Sequence, residues 1–386
     1  MRVAHVITRM IVGGAQENTL LTCLGLQRDF GDEVLLITGP SLGPEGGLLS
    51  QGRAGELPIL ELPRLRRKID PLRDALAYRD IHRALQDFRP DVVHTHSAKG
   101  GILGRFAAHA LGVRAIVHTV HGAPFHPYQP RLARWFYRYC EHHAAKRCHQ
   151  LVSVADAMTE LLVAAKVAPR EKFVTVYSGM DVEPFRRANQ EREQTRAALG
   201  VMPEEVVIGK IARLFHLKGH DDLIEVARQL RDGFPAIRWL LVGDGILRKA
   251  LESKIREAGL QQQFIFTGLV DPTQIPGLIG AMDILVHTSY REGLARTLPQ
   301  ALIAGKPVIS YDIDGAREVV LDDQTGFLIK PGDIPQLTER LGRLIASASL
   351  RHRLGASGQQ RFTDRFRDTT MTGQLREIYQ RLLDSR

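Results

Sequence analysis

Two cations five residues apart, Arg213 and Lys218, sit in the stretch Ala212-Arg213-Leu214 to Lys218-Gly219 that follows an apolar run. A guanidinium offers a bidentate fork and an ammonium a point charge, so a loop carrying both can neutralise a diphosphate. Further on, Glu292-Gly293 precede a helical pattern that runs to Ala304 and ends in Gly305-Lys306-Pro307. A carboxylate ahead of a helix can accept paired hydrogen bonds from sugar hydroxyls, and the amides of the first turn can point at hydroxyls or phosphate. On one continuous helix Gln300, eight residues on, falls near the same face as Glu292. Gly13-Gly14-Ala15 follows the first apolar run, and Gly243 lies in the turn Val242-Gly243-Asp244-Gly245. Both turns allow a ligand close to the backbone. The dinucleotide pattern G-x-G-x-x-G is missing, and Val34 to Thr38 ends in Gly39-Pro40 without an acidic residue, which argues against a nicotinamide enzyme. Plainer readings stand beside these: a tight strand–helix turn, a solvated basic loop, a Glu capping a helix.

Taken together these segments resemble the retaining glycosyltransferases of family 4, which have the GT-B fold. The shared motifs are GGAQ, the His121-Gly122 turn, Ser178-Gly179-Met180-Asp181, ARL…KGH, VGDG, and REGL…ALIAGKPVIS…GAREVV…TGFLI, and they cover nearly the whole chain. The resemblance implies roles. Gly13 and Gly14 approach the donor phosphate. Arg213 and Lys218 neutralise the diphosphate and steady the leaving group. Glu292 matches the first Glu of an E-x7-E motif and contacts the transferred sugar. Gly293, Leu294 and Ala295 hold sugar and phosphate through the backbone, and Leu269 lies beside the nucleobase. His121 lies against the donor sugar, where it can stabilise the developing sugar cation or the departing phosphate; a turn His packed on its own loop is the plainer reading. The second Glu of the motif, which binds the ribose hydroxyls, is replaced by Gln300. An amide keeps one acceptor and gains donors but loses charge assistance, on the order of 1 kcal/mol in donor binding.

Strands and helices must position these groups. Val3 to Ile7, Val34 to Thr38, Asp91 to His94, Ala115 to Thr119 and Gln150 to Val154 read as buried strands between helical patterns. The pattern restarts with Val206 to Ala212, Arg238 to Val242, Phe264 to Thr267, Ile284 to His287 and Pro307 to Ser310. The expectation is an α/β chain of two Rossmann-like, doubly wound domains facing a cleft. Residues 1–182 form the acceptor-side domain and residues 183–362 the donor-binding domain, with Asp181 to Gln194 as a polar linker. The helical pattern Thr369 to Leu383 is expected to cross back, within about 363–386, to the first domain. Ligands in such sheets lie beyond the carboxyl ends of the strands, so His94, Thr95, His96, Ser97 and Lys99 are expected to line the site, and Pro124 to Tyr128 to form an acceptor-side loop.

The 386 residues suffice for two cores, and 44% hydrophobic with 25% charged residues is the balance of a folded soluble protein. No apolar run is long enough for a bilayer, and no signal-peptide pattern opens the chain. Three cysteines fit a reducing, cytoplasmic setting. No metal is expected. Cys148-His149 beside His142 and His143 has no zinc spacing, and Asp312-Ile313-Asp314, a D-x-D of the kind that binds metal in another transferase fold, falls in the family 4 stretch leading to Gly315 and Glu318. No cofactor is expected either, since the nucleotide-sugar is a substrate. The net charge of +9 favours acidic partners, and no motif for reading nucleic acid is present. Arg131, Arg134 and Arg138 lie on one helical stripe beside Leu132, Trp135, Phe136 and Tyr139. That helix either turns its apolar side to the core or meets an anionic membrane as a peripheral protein. The expected reaction is retaining transfer of a sugar from a UDP- or GDP-sugar to a glycan or lipid-linked acceptor. Two alternatives remain: a catalytically weak or inactive sugar-nucleotide-binding protein, and a sugar-nucleotide 2-epimerase of similar build.

Overall fold

The structure, a computed structural model, describes residues 1–42, 46–49 and 53–385. The chain divides into two compact units, Met1–Met180 with Phe366–Arg386, and Asp181–Arg365.

The first unit holds a parallel sheet of seven strands: β1 (Arg2–Ile7), β2 (Glu33–Thr38), β3 (Ile59–Glu61), β4 (Val92–His96), β5 (Ala115–Val120), β6 (Gln150–Ser153) and β7 (Phe173–Thr175), in the spatial order β3-β2-β1-β4-β5-β6-β7. Central strands such as β4 and β5 are buried along their whole length, as parallel strands covered on both faces must be. The last helix, Asp368–Asp384, belongs to this unit. Thr372 packs on Gly25 of the helix Gly14–Phe30, and Arg376 donates to Asp32 (3.1 Å), which also takes the N-terminal amine (2.7 Å). Met371, Leu375, Ile378 and Tyr379 join the core built from Val3, Ile7, Leu20, Val34 and Val92.

The second unit holds β8 (Val206–Ile211), β9 (Ile237–Val242), β10 (Phe264–Gly268), β11 (Ile284–His287), β12 (Val308–Tyr311) and β13 (Gly326–Ile329), all parallel, in the order β10-β9-β8-β11-β12-β13. In both units the order reverses beside the first strand. The loops after β1 and β4, and those after β8 and β11, therefore open the two crevices where such sheets bind ligands.

Residues 183–198 depart from the expected polar linker. They form short helices, Glu183–Arg186, Ala188–Glu191 and Arg192–Ala198. Arg192 donates to the carbonyls of Gly280 and Met282 (2.7 Å each) and to Asp283 (2.6 Å), which ties the segment to the second unit. The polar composition that suggested a linker supplies these bonds.

Candidate functional site

Lys218 and Glu292 form an ion pair. They come from the loops after β8 and β11, which are adjacent parallel strands. The backbone forces the pairing. Leu217 has φ +64° and Gly219 φ +63°, so the loop doubles back between them. A Cβ at Gly219 would lie 2.0 Å from the carbonyl oxygen of Thr288. The Tyr290 amide donates to the Leu217 carbonyl (2.8 Å), and the Thr288 hydroxyl donates to the Gly219 carbonyl (2.6 Å). Below them Lys210, fully buried on β8, donates to the Thr288 hydroxyl (2.8 Å).

Asp314 holds Glu292 from the other side. The Glu292 amide donates to the Asp314 carboxylate (2.7 Å), and the Gly315 amide donates to the Gly293 carbonyl (3.0 Å). Asp314 has φ +44°, a strained value for a non-glycine residue that places its carboxylate under the loop. The D-x-D segment thus supports the loop, while Asp312 is paired with Arg317 (2.9 and 3.1 Å).

Electrostatics sharpen the site. Burial disfavours the Glu292 carboxylate, but His287 (Nε2 to Oε1, 3.7 Å) and the Lys218 charge outweigh it and hold the carboxyl down to about 2. Burial, reinforced by the Lys218 charge, brings Lys210 down to about 7. Burial also lowers His287. Lys218 and Glu292 keep partial exposure, 18% and 27% of their side chains, so an anion or a sugar can reach them.

The expected helix behind Glu292 starts later than its sequence pattern suggests. Residues 291–296 are loop, and the helix is Thr297–Ile303. Gln300 lies in its first turn, half-buried, with its amide donating to the Arg296 carbonyl (3.1 Å). Two turns of one helix therefore do not relate Gln300 to Glu292. Gly293, Leu294 and Ala295 lie in the loop and remain partly accessible.

Arg213 is exposed, its guanidinium carbon 5.0 Å from the Phe215 ring centre, and the His220 ring meets its carbonyl (3.1 Å). Gly243 needs to be glycine: its φ is +128°, and a Cβ would lie 2.3 Å from the Ala212 carbonyl oxygen. That packing brings the VGDG turn against the Arg213 loop, where the Leu214 amide donates to the Asp244 carbonyl (2.9 Å). The Gly243 amide also donates to Gly268 (3.0 Å), next to Leu269, which is 60% exposed.

In the first unit Gly13 and Gly14 open the helix Gly14–Phe30. Gly13 is extended (φ 175°), so its dihedral does not demand glycine. His121 follows β5. His94, Thr95 and His96 do not line an open face as expected; all three are buried in β4. Lys99 is engaged by Asp74 (2.6 Å). His96 Nδ1 lies 3.1 Å from His121 Nε2 and His96 Nε2 lies 3.0 Å from His5 Nδ1. His5, His94 and His96 bring ligand atoms within 4.8 Å of one another, a cluster that the spacing of these residues in sequence does not announce. Cys148, His142 and His149 instead bond separately to backbone groups.

A model of the glycosyl transferases group 1 matches residues 191–361, and one of the glycosyl transferase 4-like domain matches residues 13–179. The chain belongs to this glycosyltransferase family. It is 27% identical over 347 residues to the UDP-Gal:alpha-D-GlcNAc-diphosphoundecaprenol alpha-1,3-galactosyltransferase of Escherichia coli, covering 89% of this chain and 88% of that one. It is 30% identical over 280 residues to the 2-deoxystreptamine N-acetyl-D-glucosaminyltransferase of Streptomyces fradiae, covering 69% and 65%. HepE of Anabaena, solved in complex with UDP, superposes with a TM-score of 0.82 at 23% identity over 99% of this chain and 100% of that one. The fold is GT-B, two Rossmann-like α/β domains, and the glycosyltransferase has no helix, among the described residues, long and apolar enough to cross a membrane.

Proposed function

We propose that this glycosyltransferase moves a sugar from a nucleoside diphosphate donor to a glycan or lipid-linked acceptor, with retention at the sugar carbon. The Lys218–Glu292 pair carries the reading. A diphosphate arriving at this loop competes with the carboxylate for Lys218 and frees Glu292 to accept from sugar hydroxyls. Arg213 adds a second cation for the leaving group, and His121 meets the transferred sugar. Catalysis then rests on positioning and on charge stabilisation at the departing phosphate, which itself deprotonates the acceptor on the same face.

Two protein cations take the role that a divalent ion plays in other transferases, so no metal is needed. UDP-sugars are the first donors to test, because HepE of Anabaena was solved with UDP and the Escherichia coli relative is named for UDP-Gal; GDP-sugars form the second set. The lipid-linked acceptor rests on the diphosphoundecaprenol substrate for which the same relative is named.

An anionic membrane surface on the cytoplasmic side fits the helix Arg131–Ala145. Leu132, Trp135, Phe136 and Tyr139 are 76, 58, 44 and 50% exposed, so this helix does not turn its apolar side to the core. Three arginines flank the stripe, which is the pattern of an interfacial helix.

The test is purified protein with UDP- and GDP-sugars, in EDTA, with and without a polyprenyl-diphosphate sugar. The expected result is transfer with retained anomeric configuration by NMR and a rate indifferent to EDTA. Conversion of donor without acceptor into its C2 epimer would overturn the reading in favour of an epimerase. Binding without turnover of any donor would leave a sugar-nucleotide-binding protein.

A further inference from the structure

His5, His94, His96 and His121 are brought together by strand register. β1 and β4 pair with His5 opposite His94, and β4 and β5 pair with His96 opposite Thr119. Residues two apart share a face of a strand, so His94 and His96 lie side by side, and His121 begins two residues beyond Thr119. Two imidazole contacts follow in line: His5 Nδ1 to His96 Nε2 at 3.0 Å, then His96 Nδ1 to His121 Nε2 at 3.1 Å. His94 is engaged by hydroxyls at both nitrogens, Thr119 Oγ1 at 2.7 Å and Tyr379.

A metal on His5, His94 and His96 fits poorly. Those nitrogens already bond to one another or to hydroxyls, the three rings are fully buried, and the cluster contains no carboxylate to offset a dication. Burial instead pushes His5 down to about 3 and His94 and His96 well below the ordinary range. His5 and His96 are then neutral, each with one donor and one acceptor nitrogen.

The line has two directions. If each Nδ1–H donates, His5 gives to His96 and His96 gives to His121. If each Nε2–H donates, the last hydrogen sits on His5 Nε2, which is buried without a partner. A buried N–H with no acceptor is the arrangement folded proteins avoid most strongly. The first direction therefore holds, and His121 accepts at Nε2 and carries its proton on Nδ1.

We propose that His5 and His96 are positioning residues that act through His121, a line of imidazoles that fixes it as the Nδ1–H tautomer with Nε2 turned inward. In this state the hydrogen of His121 is on Nδ1, and Nε2, engaged by His96, is not a base. The proposal rests on His121 being the sugar-facing residue. His5 and His96 act only through His121: their effect is on which of its nitrogens carries the hydrogen.

Long-range proton–nitrogen NMR on the full chain with labelled histidine reads the tautomer directly. The expected wild-type result is Nδ1–H at His121. His96→Phe removes the donor and moves His121 to Nε2–H or to a mixture, while His96→Asn, whose amide sits where Nδ1 was, retains Nδ1–H. Turnover follows: kcat falls roughly tenfold to hundredfold in His96→Phe with donor KM little changed, and His96→Asn recovers most of it. His5→Phe moves the inner end of the line to His96 Nε2, where a hydrogen would again be buried without an acceptor, so His121 stays Nδ1–H in that variant, and the wild-type tautomer keeps the proposal falsifiable if His96→Phe does not fold. An Nε2–H tautomer in the wild type, or a His121 tautomer unchanged in a folded His96→Phe, overturns the line even if His121→Ala is inactive. Full turnover in His121→Ala overturns the sugar-facing role whatever the tautomer. Stoichiometric zinc retained through dialysis by the full chain, and lost in His5→Phe, overturns the proposal by making these nitrogens ligands.

Discussion

At the residue scale the question is how much of the chemistry Lys218, Arg213 and Gln300 each carry. Lys218 is held by Glu292 before any donor arrives, so its ammonium is already oriented and loses little freedom on meeting a phosphate. Arg213 is exposed and stacked on Phe215, and must reorganise more. Each substitution, Lys218→Ala or Arg213→Ala, is expected to cost about 2–4 kcal/mol of transition-state stabilisation, read as kcat/KM for transfer, with Lys218→Ala the larger. Near-normal turnover in both would place the diphosphate elsewhere. Gln300 tests donor binding rather than bond breaking. Restoring a carboxylate with Gln300→Glu should lower the donor KM about fivefold, the equivalent of ~1 kcal/mol, and leave kcat alone. An unchanged KM would mean that Gln300 does not meet the ribose.

At the element scale the site depends on β8 and β11 being neighbours, and on buried groups beneath their loops. Lys210 is the costly one. Its folded pKa of about 7 lies below the ordinary lysine value, so between about 7 and the ordinary range the unfolded chain binds more protons than the folded one. Its contribution to stability therefore rises with pH across that window, and its penalty is fully present below about pH 7. Lys210→Met should raise stability at pH 6 by on the order of 1–4 kcal/mol, with the gain shrinking toward pH 10. Turnover should fall, because the Thr288 hydroxyl that fixes Gly219 loses its donor. Denaturation curves at several pH values, beside the transfer rate, check both; a variant less stable at pH 6 contradicts the assignment. Much of this frame was legible beforehand. Ten strands could be read from apolar runs, because parallel strands are buried on both faces. Three escaped: β3 and β7 are three residues each, β3 is exposed and carries no burial signal, and β13 is a four-residue stretch that was read only within the TGFLI motif. The meeting of Arg213's loop with Glu292's was an inference from motif resemblance; strand order, which no spacing in the sequence encodes, is what brings Lys218 and Glu292 together. Asp314 was read only within the D-x-D pattern and not as a support of Glu292, and His287 and Lys210 went unread, for the same reason. They lie far from Glu292 or Lys218 in chain or on buried strands, where a polar residue looks like an ordinary strand member. The helix behind Glu292 was placed too early because REGLA has helical composition, while the Asp314 and Gly315 contacts hold it as a loop.

At the scale of the whole molecule, the charge of +9 and the exposed stripe on Arg131–Ala145 make one argument about where the enzyme works. Four large apolar side chains at spacings of three and four remain in solvent, and three arginines lie among them. Arg138 is tethered to the Ala165 carbonyl (3.0 Å), so the helix is anchored at its middle and offers its first two turns. An interfacial helix gains from burying such a stripe and from each cation near anionic headgroups, about 1 kcal/mol apiece. Vesicles with anionic lipid should bind the protein at low salt and release it as salt rises, since the screening length shortens. The chain has two tryptophans, and Trp239 is fully buried. A blue shift of tryptophan emission on vesicle binding therefore reports Trp135. Arg131→Gln should weaken binding about fivefold, one cation's worth. Trp135→Glu, which adds a charge and removes apolar area, should abolish the shift and weaken binding further. Both variants should keep full transfer to a water-soluble acceptor, because neither residue is placed in the donor site. Binding that ignores salt, or an emission shift that survives Trp135→Glu, would show that this stripe is not the membrane contact.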